Sequence, residues 1–357
     1  MFVYVGAYTE PPEGHAEGIA VFRFDADSGA LSPVQTVAGI ANPSFLTLDT
    51  RQRYLYAVNE LDEGGVTAFA RDADDGTLTT INHQLSHGAA PCYVSLDASG
   101  RYALVANYSG GTVAVLPITA DGHLEPATSV IDHGLAGSSV RSSQHKQPHP
   151  HMVAPTAGDR QILVTDLGLD RVFVYRLDAI TGQLVPNERG PGWVNAVPGS
   201  GPRHFAFGAD GRYLYVINEL DSTLTVFAYD GETGELRPVQ TDSTLPDGFT
   251  GENTCAHVVV APDGRFVYGS NRGHDSIAIW SIAGEGGEVE LVGHEPTRGK
   301  NPRHFNLHPT GDWLLVANQH SDAVVTFRRD RDTGRLTAVG PVTATPSPVA
   351  ILFSHPM

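Results

Sequence analysis

Arg203, Arg272 and Arg303 are three of only 23 basic residues in a chain that carries 40 acidic ones and a net charge of −17. A guanidinium grips carboxylate or phosphate through a planar fork, often with two hydrogen bonds. Arginines gathered on so acidic a chain therefore point to an anion to be held. Imidazoles accompany them: His149 and His151 in PHPH, His204 in GPRHF, His257 in TCAHV and His304 in NPRHF. So do the carboxylates Glu60, Asp166 and Glu219 and the phenol Tyr108. Imidazoles of this kind bond to backbone groups of a neighbouring element or bind a transition metal. They lie far apart in the chain with no short ligand spacing, so no metal or other cofactor is expected.

Distant residues meet only if the fold brings them together, and a repeat does so here. GPRHFAFGADGRYLYVINE, from Gly201, reads as two short strands of period two around an Asp-Gly turn. Related stretches start at Asn42, Ala90, Pro150, Thr254 and Asn301. A second hairpin with an Asp-x-x-x-Gly-like turn follows each, as in FRFDADSGALSPV and FAYDGETGELRPV. There are seven of the second kind and six complete ones of the first. The seventh is divided between FVYVGAYT at the start and SPVAILF at the end. Four antiparallel strands in about 50 residues, seven times, predict an all-β, seven-bladed β-propeller over residues 1–357, a single domain closed by pairing the N- and C-terminal strands.

Aligning the repeats on the turn glycines Gly100, Gly158, Gly211, Gly264 and Gly311 gives three registers at one end of the blades. His151, His204, His257 and His304 fall in one, with Phe45, Tyr93 and Ala350. Arg203 and Arg303 share a second with Ser44, Cys92, Pro150, Ala256 and Val349. Glu219 shares the third with Tyr8, Glu60, Tyr108, Asp166, Arg272 and Gln319. Ordinary core registers would be apolar and alike. These are polar and varied, and they are expected to line the mouth of a central channel. The long connections 132–147, 187–201 and 242–254 fall at the same end, where ligand contacts concentrate.

The acidic surface disfavours a nucleic-acid partner. Two cysteines, Cys92 and Cys255, make no disulfide framework. No basic-then-apolar leader opens the chain, and no apolar run approaches the ~18 residues of a membrane span. These features predict a soluble cytoplasmic protein; they say nothing of its oligomeric state.

PHPHMV, TDLGLDRVFVY, GPRHFAFGADGRYLYVINE and APDGRFVYGSNRGHDSIAIW resemble the seven-bladed lactonase family of 6-phosphogluconolactonases, itself related to carboxy-cis,cis-muconate cyclase. The resemblance covers nearly the whole chain, with neither a WD pattern nor a kelch signature. It implies hydrolysis of 6-phospho-D-glucono-1,5-lactone, in the pentose phosphate route, without a required metal. It also implies a site made of His149 or His151 with Arg203, Glu219 and Arg272. Where members often carry an acidic residue, this chain has His257. On this reading Glu219, His149 or His151 is the general base, and Arg203 or Arg272 faces the oxyanion. Arg303 takes the phosphate, and Glu60, Tyr108, Asp166, His204, His257 and His304 help bind the substrate. The absence of a Gly-x-Ser-x-Gly elbow and of a Cys-His signature disfavours an acyl-enzyme. The alternatives are another anionic lactone, cycloisomerisation of a muconate, a metal-dependent lactonase, and a binding propeller without turnover.

Overall fold

Period-two alternation becomes strand throughout. The computed structural model describes residues 1–136 and 147–355, in which the only helices are single 3-10 turns. Its strands form seven antiparallel sheets, the blades of a seven-bladed β-propeller. Blade one joins both termini: Pro348–Phe353 pairs with Phe2–Ala7, matching Phe353 to Val3 and Ala350 to Gly6, and Gly18–Phe24 and Leu31–Ala38 complete it. Blades two to seven start with Leu46–Leu48, Pro91–Leu96, Pro150–Pro155, Pro202–Phe207, Thr254–Val260 and Pro302–Leu307. Blades four and seven each add a short fifth strand, Trp193–Asn195 and Thr343–Ala344.

The Asp-Gly turn behaves as its chemistry demands. Gly211 adopts φ +68°, where a side chain would be strained, and its N–H closes the turn on the Gly208 carbonyl at 2.9 Å. The alternating apolar residues of one sheet pack against the next. Tyr268, Ile279, Phe305, Leu314 and Phe327 fill the space between blades six and seven. Tyr215, Ile217, Val258, Val267 and Trp280 do so between blades five and six.

By its internal contacts the chain divides into two compact units. One holds residues 1–36, 203–229 and 236–357; the other holds residues 37–202 and 230–235. Among the described residues no helix is long and apolar enough to cross a membrane.

Strand pairing overturns one sequence alignment. Pro91 pairs with Asn107, Pro302 with Asn318 and Cys255 with Asn271, each partner 16 residues on, and Pro150 pairs with Asp166 at the same interval. Asp166 therefore occupies the register of the asparagines. The Glu219 register of blade four belongs to Leu167, whose N–H donates to the His149 carbonyl as Glu60, Tyr108 and Gln319 donate to Asn42, Ala90 and Asn301. His151 likewise joins the register of Cys92, Arg203 and Arg303, and Met152 takes the histidine position. The cause is local. The blade-four turn is a 3-10 turn with positive φ at Gly158 (+74°) and again at Asp159 (+53°). Its glycine comes one residue earlier than in the other blades, so alignment on that glycine slips by one.

Candidate active site

The first unit carries a cluster of opposite charge. Glu219 follows the second strand of blade five, Arg203 lies in the first strand of that blade, and Arg272 ends the second strand of blade six. Glu219 Oε1 is 3.0 Å from Arg272 Nη2, and its Oε2 is 2.7 Å from Arg203 Nε. The Arg203 Nε–H does not point along that line and finds no hydrogen-bond acceptor, so the second contact is Coulombic. Arg203 is 2% exposed; its Nη1 donates to the Ala256 carbonyl. Arg272 Nη2 donates to the Cys255 carbonyl at 2.8 Å. Arg303 lies 5.3 Å over the Tyr8 ring and donates from Nη2 to its hydroxyl at 2.7 Å.

Burial alone would raise the Glu219 carboxyl, but Arg272, Arg203 and Arg303 outweigh it and hold the group below its ordinary value. Glu219 is thus an ionised clamp with a surplus of positive charge around it. Arg203 is too buried to reach a ligand without rearrangement, whereas Arg272 and Arg303 are partly open. A cleft of about 460 Å³ opens on Arg272 and is lined also by Asn253, Lys300, Asn301 and His320. Sequence reasoning missed Lys300 and His320. Lys300 stands two residues before the Pro302-Arg303-His304 stretch and His320 two residues after Asn318, outside the aligned registers.

His204, His257 and His304 adjoin this cluster. His204 Nδ1 is 2.7 Å from His257 Nδ1, and the His257 and His304 rings stack at 4.0 Å. Burial, then the neighbouring His304 and Arg203, hold His257 well below the usual imidazole range. Burial and Arg203 push His304 down to about 3.

The second unit holds the remaining candidates. His149 stacks on Tyr108 with centroids 4.5 Å apart, and its Nδ1 donates to the Tyr108 carbonyl at 2.9 Å. That bond fixes the tautomer and leaves a lone pair on Nε2. Any side chain on Gly168 would collide with the Gln147 carbonyl and with His149 Cδ2, so the glycine of TDLGLD makes room for this imidazole. His151 is buried; Cys92 Sγ lies 3.7 Å from its Nδ1 and donates to its carbonyl at 3.4 Å. Residues 59 apart in sequence thus form a Cys–His neighbourhood, in which the thiol donates to the His151 backbone carbonyl.

Asp166, expected to touch ligand, is wholly buried. It accepts from His133 Nδ1 at 2.7 Å and from the His149 and Leu169 N–H groups at 2.9 and 3.0 Å. Glu60 accepts from the Ser44 hydroxyl. Most of the expected loop 132–147 lies outside the described residues. Among those described, no three His, Cys, Asp or Glu side chains are arranged to hold a metal.

The family described as Lactonase, 7-bladed beta-propeller, matches residues 2–353, and the chain belongs to it. It is a lactone-hydrolysing enzyme of the carboxylic ester hydrolase class. The 6-phosphogluconolactonase of Bacillus subtilis is 37% identical over 353 residues, 99% of this chain and 98% of that one. A 6-phosphogluconolactonase of Formosa agariphila is 34% identical over 94% of each chain. Among solved structures, the periplasmic gluconolactonase of Pseudomonas aeruginosa superposes with a TM-score of 0.91 at 36% identity, covering 98% of each chain.

Proposed function

We propose that the protein hydrolyses 6-phospho-D-glucono-1,5-lactone to 6-phosphogluconate in the pentose phosphate pathway, in the cytoplasm. The observation that carries this reading is Glu219 between Arg203 and Arg272, with Arg303 close enough to act on it. One carboxylate among three guanidiniums leaves net positive charge for an anionic substrate. A lactone is an ester with an exposed planar carbonyl, and water attack makes its oxygen negative. Arg272, the more open partner of the clamp, offers preorganised charge to that oxygen. Arg203 and Glu219 hold Arg272 in place.

Each unit offers one proton acceptor. Glu219 is already stabilised as an anion by its arginines, which makes it a weak base. His149, with its tautomer fixed and a lone pair on Nε2, has the chemistry of a general base. Lys300 and His320, in the cleft beside Arg272, suit the phosphate.

The relatives divide on that phosphate, since one is named for a phosphorylated lactone and another for gluconolactone. The test is initial rates on 6-phosphogluconolactone and on glucono-1,5-lactone, with spontaneous hydrolysis subtracted, with and without chelator. The expected result is a clear preference for the phosphorylated lactone, untouched by chelator. Lys300→Ala should raise KM about tenfold on that substrate alone. Equal rates on both lactones would remove the phosphate from the assignment.

A further inference from the structure

His204, His257 and His304 stand in one register of blades five, six and seven, and the bonds around them settle where each proton sits. Arg203 Nη1 lies 3.4 Å from His204 Nε2. A guanidinium only donates, so that nitrogen accepts and His204 carries its hydrogen on Nδ1. His204 Nδ1 is in turn 2.7 Å from His257 Nδ1. One hydrogen fits between them, His204 supplies it, and His257 must accept. His257 therefore carries its own hydrogen on Nε2. His304 reaches the same tautomer separately, because its Nδ1 accepts the Ile351 N–H at 3.2 Å.

The His257 ring is also fixed in direction. Its backbone N–H donates to Ser270 Oγ at 3.0 Å. Its ring stacks on His304 at 4.0 Å and stands edge-on to His204 at 5.0 Å. The residue retains 8% exposure, and among the described residues nothing accepts from its Nε2. Nε2 is not among the buried polar atoms that lack a partner, so the residual exposure lies at this donor, where water or a ligand can accept from it.

We propose that His257 Nε2–H is a neutral hydrogen-bond donor to the carbonyl oxygen of the lactone, aimed by Arg203 through His204. This deepens the lactonase reading above and depends on it. When water attacks, the carbonyl π electrons move onto that oxygen and the hydrogen bond from Nε2 strengthens. No proton leaves His257, so the imidazole is neutral before and after the step. A neutral imidazole suits such a role where burial and a nearby positive charge disfavour protonation, and burial, then His304 and Arg203, do so here.

The test compares kcat, KM and the pH profile of lactone hydrolysis for the native protein, His257→Phe and His257→Gln, each checked for folding by its melting temperature. Phenylalanine keeps a ring against His304 and removes the donor, and kcat should fall about 100-fold with KM little changed. Glutamine restores an N–H donor, so kcat should recover to within about tenfold of native, with the acid limb of the profile unmoved. Native kcat in His257→Phe, or His257→Gln as poor as His257→Phe, overturns the proposal. So does loss of the acid limb in His257→Gln, which would make His257 a base. If His257→Phe fails to fold, the rate and profile of His257→Gln decide by the same criteria. A native protein without lactone turnover overturns the functional reading and this inference together; turnover that ignores residue 257 overturns the inference alone.

Discussion

Glu219 and Asp166 are both carboxylates at the end of the second strand of a blade, one residue apart in register, and that one residue separates two environments. Glu219 points to a place reached by Arg203 and Arg272 and keeps 17% of its side-chain exposure. Asp166 has none, and its three donors are an imidazole and two backbone N–H groups. Blade one has Ala7 at the Asp166 position, but the other five blades carry asparagine there, and in four of them, at Asn59, Asn107, Asn271 and Asn318, it latches onto a backbone carbonyl. Asn271 Nδ2 donates to the Thr244 carbonyl at 2.8 Å and Asn318 Nδ2 to the Thr297 carbonyl at 2.9 Å. Asp166 is that latch with the donor and acceptor exchanged, His133 supplying the hydrogen. In a repeat protein, then, the register decides whether a carboxylate serves the scaffold or stands where a ligand can feel it.

Glu219→Gln should have the largest effect on this contrast. It removes the carboxylate charge that lies 2.7 Å from Arg203 Nε; Arg203 is itself 2% exposed, and stranding a buried cation costs about 3–5 kcal/mol. Urea unfolding should show a loss of that order, and kcat/KM should fall at least about tenfold. A stable and active Glu219→Gln protein would end the view that the clamp organises the site.

Arg272→Ala sharpens the same contrast from the cation side. Glu219 keeps Arg203 and some contact with water, so stability should change less than in Glu219→Gln. The rate should still fall at least about tenfold, because Arg272 faces the cleft. If stability fell as far as in Glu219→Gln while kcat held, Arg272 would belong with the scaffold.

Acid should separate the clamp from the histidine row. His257 and His304 have folded pKa values depressed below their ordinary 6.5. As pH falls the unfolded chain takes up these protons first, so their contribution is complete above about 6.5. It drains away between there and about 3, the value reached by His304. Glu219 is depressed below an ordinary 4.5, so its contribution is complete above that value and is lost only at lower pH. Melting temperatures should therefore decline from pH 6.5 to 5 in the native protein and decline less in His304→Phe. Identical slopes would mean that the row is already hydrated or charged.

The sequence made most of the blades legible because their signals are local: alternation, Asp-Gly turns and a divided repeat at the ends. Arg203, Glu219 and Arg272 were legible for a related reason, since a strict 16-residue hairpin carries them to predictable positions. Blade four defeated that logic. Its 3-10 turn moves Gly158 by one place without changing the hairpin length, and only strand pairing reveals it. His133 was illegible for a different reason: it comes from the preceding blade's last connection, outside any repeat motif, and is recognisable only by what it touches. The protonation order of the histidine row was equally hidden, because it depends on Arg203 meeting His204 edge-on.

The smallest effect tests the register most directly. Asp166→Asn installs the residue that neighbouring blades use. Asparagine Oδ1 can keep the His149 and Leu169 N–H groups that Oδ1 of Asp166 now holds. Its Nδ2 then faces His133 Nδ1, now a donor, which must become an acceptor. His133 can comply by moving its hydrogen to Nε2, 3.1 Å from the Tyr175 hydroxyl, which can accept it. All the bonds survive with their polarity reversed, so stability should change by no more than about 1 kcal/mol. kcat should stay within about threefold of native, since the His149 backbone remains anchored. Asp166→Ala keeps none of these bonds and should cost more. A collapse of activity in Asp166→Asn without loss of stability would show that the charge of Asp166, and not its geometry, reaches the chemistry through His149.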